Sequence, residues 1–259
     1  MTFQVSGQEL ALESAGTTGK IKSVGEFLDN AKVNVQRFST STSDDVAKVS
    51  GKLDEVSNIG GELSEISLPQ KVIDARNNLS KLVNEAPQKE FLPGKTSSDI
   101  TNILKGERPN PESYLDPEYI SEESKLFEDG VARISGTDRW LNETGYMGVT
   151  DPEILNGAVP REYVFPKDYL DSIVNASGGD IRFVEDSLGL SHGTLGDNPV
   201  IMQVEKGDYT GVDIPNGNEF GANDEWIPGG KLPTGIPEAT IDPVPADKVI
   251  TKKWGDIFK

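Results

Sequence analysis

The sequence predicts an α+β chain: a helical N-terminal segment, then a domain with a small, mostly antiparallel sheet and two or three helices. Three observations lead there. Apolar residues recur every three or four positions through the first third, which is the helical period. From Gly130 onward, short runs of strand pattern alternate with short helical ones. The 259 residues include 27 Gly and 16 Pro with an apolar fraction of 35%, a turn-rich composition that suits loops around a moderate core better than an all-helical bundle.

In the first helical stretch Ile21, Val24, Phe27, Leu28, Ala31, Val35 and Phe38 form an apolar stripe. Val46, Val49, Leu53, Val56, Ile59, Leu63 and Ile66 form a second, with Asp44 and Asp45 as start signals and Gly60–Gly61 weakening its far end. A third helix is expected from Gln70 to Asn84, after Pro69 and before Pro87. These make residues 1–95 a delivery or docking segment whose simplest form is a helical hairpin with a buried seam. The boundary is set near Pro93, because charge shifts there. Residues 1–95 carry 11 Lys+Arg against 13 Asp+Glu, and the remainder carries 14 against 30. All three tryptophans, Trp140, Trp226 and Trp254, lie in that remainder.

Residues 96–112 read as a Pro-rich linker and 113–259 as the α+β domain. A helix is expected from Asp116, a good N-cap followed by Pro117 at the first helical position, to Phe127. VARIS and REYVFP are strands. PKDYLDSIVNAS is a helix with Tyr169, Leu170, Ile173 and Val174 on its apolar face, closed by Gly178–Gly179. DIRFVEDSLGL is another, capped by Asp180 and ended by Gly189. In NPVIMQVEK, Val200, Met202 and Val204 share one face and Ile201 and Gln203 the other. EATID and DKVITKKW are further short strands. No fixed-period repeat is present.

Net charge is −18 and the pI about 4.5. Nucleic-acid binding needs cations to replace counterions, so nucleic acid and anionic membranes are disfavoured partners, and basic proteins or cations are favoured. No cysteine is present, which excludes disulfides, thiolate zinc sites and cysteine nucleophiles. The opening MTFQVSGQELALES lacks a basic n-region and an apolar h-region, so export without a cleaved Sec signal is expected if the protein is secreted. No apolar run reaches the ~18 residues of a membrane span.

No P-loop, GxSxG, HExxH, GxGxxG or EF-hand pattern occurs, and no metal-ligand set is expected. His192 is the sole histidine, so multi-histidine zinc sites are impossible. On a turn at a site mouth it would serve substrate binding; otherwise it is a surface turn residue. The densest turn chemistry is NGNEFGANDEWIPGGKLPTGIPEATIDPVP, from Asn216 to Pro245. Glu225 and Trp226 precede its loop, Gly229 and Gly230 open it, and Glu238 begins the strand after it. A carboxylate held on a stiff loop can steady a ribosyl oxocarbenium ion. An upstream strand arginine can hold a phosphate in a bidentate fork, with Arg133 first and Arg139 next. Catalytic candidates are therefore Glu238, Arg133 and Glu225, and substrate-binding candidates are Trp226, His192, Gly229 and Gly230. The competing reading makes Glu238 a solvent-facing strand residue and Arg133 a salt-bridged one.

The block from REYVFPKDYLDSIVNASGGDIRFVEDSLGL through GNEFGANDEWIPGGKLPTGIPEATIDPVP resembles C-terminal toxin modules of bacterial polymorphic toxins of the LXG and Rhs types. The resemblance rests on Phe165, Pro166 and Lys167; Gly178, Gly179 and Asp180; Leu188 to Leu190; Gly217 to Glu219; Gly221 to Asn223; Trp226 to Gly230; and Glu238 with Ala239. It covers about residues 110–250. It implies a secreted effector acting in a neighbouring or host cell, with a cognate immunity protein and a secretion chaperone or apparatus as partners. Many such toxins consume NAD through an ADP-ribosyltransferase-like fold, whose order is a strand arginine, then Ser-Thr-Ser, then Glu-x-Glu after a loop. Arg133 and Glu238 stand in that order. REYVFP lacks the Ser-Thr-Ser and Ile236 replaces the first glutamate, so the resemblance implies NAD hydrolysis more than transfer to a protein. NAD enters as substrate, and no cofactor is expected. The alternative class is a non-enzymatic acidic interaction protein: an inhibitor, or a phage or secretion accessory.

Overall fold

The computed structural model describes residues 3–6, 9–12 and 68–258, in two compact units, Met1–Ser67 and Leu68–Lys259. In the first unit β1 (Phe3–Ser6) and β2 (Glu9–Leu12) form an antiparallel hairpin with Phe3 opposite Leu12 and Ser6 opposite Glu9. The helices expected over 21–38 and 46–66 lie outside the described residues.

The second unit begins with α1 (Gln70–Glu85), bounded by Pro69 and by Ala86 in extended conformation. Its apolar face, including Leu79, packs against Tyr169, Leu170, Ile173 and Val174. Arg76 Nε donates to Ala176 O at 3.1 Å, and Tyr169 Oη donates to Leu82 O at 2.8 Å. This corrects the boundary expected near Pro93. The helix lacks a charge shift to mark it, but its apolar stripe is completed by residues a hundred positions on. The linker expected over 96–112 is also corrected. α2 (Ser97–Thr101) starts with a capping box between Thr96 and Asp99 and buries Ile100. Arg108 donates through Nη1 to Gly217 O at 2.9 Å, and the Asn218 amide donates to Arg108 O at 2.8 Å. α3 (Pro117–Lys125) starts where expected, with Asp116 Oδ1 accepting from the backbone N–H of Glu118 and Tyr119, and stops two residues short of Phe127.

β3 (Gly130–Ser135), α4 (Arg139–Thr144), β4 (Tyr146–Met147), α5 (Pro152–Leu155) and β5 (Glu162–Pro166) follow. Next come α6 (Leu170–Ser177), α7 (Ile181–Ser187), β6 (Val200–Glu205), β7 (Ala239–Ile241), β8 (Val244–Pro245), β9 (Val249–Lys253) and α8 (Trp254–Ile257). Five strands form one antiparallel sheet in the order β7-β5-β3-β6-β9, and β4 pairs with β8. The α+β class is thus as the sequence predicts.

Strand alternation divides the core. Ala132, Ile134, Phe165 and Ile201 pack with α1, α6 and α7, while Val131, Val164, Val200, Met202 and Val204 pack with Phe127, Met147, Ile241 and Val244 on the other face. A third cluster joins Ile100, Tyr114, Leu115, Tyr119, Ile214 and Trp226 beneath the loops. Among the described residues no helix is long and apolar enough to cross a membrane.

Candidate active-site cleft

β3 pairs with β6 at all six of its residues, but with β5 only through Val131 opposite Pro166 and Ala132 opposite Phe165. Beyond Ala132 the two strands part, and a cleft of about 310 Å³ opens between them. That volume is at the small end of ligand sites. Arg133 and Ser135 line it from β3, Glu162 and Tyr163 from β5, and Glu238 from just ahead of β7. The rings of Trp140, Phe220 and Trp226 supply apolar wall.

Two residues proposed from opposite ends of the domain, Arg133 and Glu238, therefore line one cavity. Arg133 forms an ion pair across the gap with Glu162, whose side chain is almost wholly buried. Burial pushes the Glu162 carboxyl up, and Arg133 opposes that shift. Glu238 has no ion pair or hydrogen bond to its carboxyl among the described residues. It is half-buried at the cleft, and burial, with the charge of Glu219 adding to it, pushes its carboxyl up to about 8. Glu238 thus faces the cleft half-buried, and Arg133 is ion-paired, as the competing reading expects of it.

The loop before Glu238 is held as a narrow hairpin. Glu238 N donates to Gly230 O at 2.7 Å, and Leu232 N to Ile236 O at 2.9 Å. Ile236, which stands where the resemblance expects a glutamate, is core, 1% exposed. Gly229 and Gly230 are buried and shape the hairpin but lie outside the cleft lining, so their role is structural, not the substrate contact expected of them. Gly229 has φ +109°, and a Cβ there would stand 2.1 Å from Lys89 Cδ. Tyr119 Oη donates to Gly229 O, and Lys89 Nζ to Pro228 O at 3.0 Å.

Trp226 is 8% exposed and belongs to the third core cluster, with the Arg108 guanidinium 4.4 Å from its ring centroid. Its Nε1 is buried without a hydrogen-bond partner. Glu225 lies exposed at the rim. His192 does not join the site. It is exposed, with Nε2 2.9 Å from Asp186 Oδ1, and is not among the lining residues. Arg139 stays on α4, paired with Glu143 at 2.8 Å.

Four residues escaped the sequence reading. Glu162 and Tyr163 sit in REYVFP, a stretch read only as a strand. Glu219 accepts from Tyr163 Oη, Asn216 N and Gly217 N, each at 2.8 Å. Lys231 lines the cleft and places its ammonium 2.8 Å from Glu123 Oε2. The contact is off hydrogen-bond alignment, which leaves Lys231 Nζ and both Glu123 oxygens without a hydrogen bond. Burial lowers the lysine and raises the glutamate. Among the described residues no group of three or more His, Cys, Asp or Glu is placed to hold a metal. The cleft thus offers the half-buried carboxyl of Glu238, a guanidinium fork and aromatic walls. Comparison with protein-family models, curated proteins and solved structures gives no match.

Proposed function

We propose that this chain is a secreted bacterial toxin or effector that consumes NAD by hydrolysis in the cell it enters. The observation that carries the reading is the convergence of Arg133 and Glu238, about a hundred residues apart, on one aromatic-walled cleft. In the reaction the bond from the nicotinamide nitrogen to ribose C1′ breaks, with its electron pair leaving on nitrogen. Water adds to C1′ and releases a proton, giving ADP-ribose and nicotinamide. The developing ribosyl cation needs a nearby negative charge and a low-dielectric wall. Glu238 supplies the carboxylate once the substrate's positive charge stands beside it, which favours its ionised form. Arg133 contacts Glu162 through Nη1, and the guanidinium has five donors, so the fork keeps N–H groups for a phosphate. A cognate immunity protein covering this cleft belongs to the same reading.

The test is NAD consumption by the purified full chain. Glu238→Gln is expected to slow it by about 10²–10³-fold, the size of losing one preorganised electrostatic group. Intact NAD in the presence of wild-type protein, or full activity in Glu238→Gln, overturns the reading.

A further inference from the structure

The charges lining the cleft do not balance. Its three cations are already engaged by carboxylates: Arg133 with Glu162, Arg161 with Asp213 and Asp242 at 2.8 Å each, and Lys231 with Glu123. Glu238 has no such partner among the described residues, and this half-buried side chain faces the cleft. The neighbouring charge is another carboxylate, Glu219, fixed by three donors and unable to swing away. Tyr163 gives one of those donors, and the residue opposite it in the β5–β7 register is Thr240, two positions from Glu238. Tyr163 and Glu238 are therefore diagonal neighbours on one face of the sheet. Arg108, the cation acting on Tyr163 from the other side, is held over Trp226 and on Gly217 O. Phe220 is 45% exposed beside these groups, an apolar ring with little packing of its own.

We propose that Glu238 and Glu219, with the rings of Tyr163 and Phe220, form a subsite for a planar organic cation of the pyridinium class, and that it discriminates this cation from its neutral counterpart. A carboxyl with neither ion pair nor hydrogen bond, beside a second fixed carboxylate, favours a positive charge over a neutral group of the same shape. Aromatic faces add cation–π attraction. The inference deepens the NAD reading and rests on it for the natural ligand, since the oxidised nicotinamide ring is a pyridinium and the reduced ring is neutral. Binding also couples to release of the proton on Glu238, so affinity for the cation rises with pH. Raised toward 8 by burial and Glu219, Glu238 is mostly protonated at pH 7 and mostly ionised at pH 8.5, which predicts a rise of about eightfold.

Calorimetric titration of the full chain with 1-methylnicotinamide and with neutral nicotinamide tests this. The cation is expected to bind at least tenfold more tightly, with the pH dependence above and with net proton release. Glu238→Gln, which removes an unpaired charge and preserves side-chain size, is expected to abolish both the preference and the pH dependence. Glu219→Gln is expected to reduce the preference and to move the pH midpoint downward. Equal binding of the two probes, binding of neither, or an unchanged preference in Glu238→Gln overturns the subsite. A clear preference without NAD consumption leaves the subsite standing and overturns the NAD reading. NAD consumption without the preference does the reverse.

Discussion

Between pH 4.5, the ordinary glutamate value, and about 8, the folded chain holds a proton on Glu238 that the unfolded chain has released. The native state then binds more protons than the unfolded state, so this group's contribution to stability falls as pH rises through that window. Glu238→Gln removes the effect. The variant is expected to melt at the wild-type temperature near pH 4.5 and above it by pH 8, with the gap flat at higher pH. Screening from the open cleft reduces the full linkage value to roughly 1–3 kcal/mol. Denaturant melts across pH 4.5–9 check it, and a variant less stable than wild type at pH 8 contradicts it. Glu123 and Lys231 follow another rule, since each compensates the other's buried charge. Lys231→Met alone is expected to cost about 3–5 kcal/mol, whereas Glu123→Leu with Lys231→Met is expected to come within about 1 kcal/mol of wild type. Equal losses in single and double variants on the same melts would show that packing, not charge, decides the site.

The hairpin from Gly229 to Pro237 is anchored by Leu232 and Ile236 in the first core cluster, and Trp226 packs in the third cluster just ahead of it. Trp226→Ala is expected to destabilise the fold by roughly 3–5 kcal/mol through the cavity it leaves. Trp226→Phe keeps an aromatic ring and removes the orphaned buried N–H, so its cost is expected to be under half of that. Thermal melts of both variants, read beside NAD consumption, separate loop anchoring from cleft chemistry. Elements with local signals were legible in the sequence: α1 between prolines, α3 behind Asp116-Pro117, α6 closed at Gly178 with φ +59°, and the alternation of β6. The short β4, β8, α4 and α5 were not, because four to six residues or fewer carry no period and depend on tertiary contact. Of the cleft, Arg133, Glu238, Glu225 and Trp226 were legible from residue type and turn chemistry. The parting of β3 from β5 was not, since alternation fixes which face a side chain takes and leaves the length of pairing open. Glu219 was hidden for a related reason: Tyr163, which helps to fix it, lies 56 residues away.

At the scale of the whole second unit, α1 decides where a fragment can begin. Leu79 lies in the same core cluster as Phe165, Ile173 and Val184, and Arg76 and Leu82 are hydrogen-bonded to α6 and Tyr169. Removing α1 exposes the apolar face of α6, and each large side chain so exposed forfeits about 1.5–3 kcal/mol. Three such side chains come to most of the 5–15 kcal/mol that keeps a domain folded. Residues 68–259 also hold 33 Asp+Glu against 19 Lys+Arg, a net charge of −14, so self-repulsion leaves little reserve. A fragment 68–259 is therefore expected to melt cooperatively, and one starting at Pro109 is expected to be protease-labile with no cooperative transition at 25 °C. Raising salt from about 10 mM to 0.15 M shortens the screening length to ~8 Å and is expected to raise the melting temperature of 68–259. It will not rescue 109–259, because screening relieves repulsion and does not replace the missing helix. Cooperative melting of the shorter fragment would show that α6 is held by the sheet and α7 alone, and that α1 is an accessory to the fold.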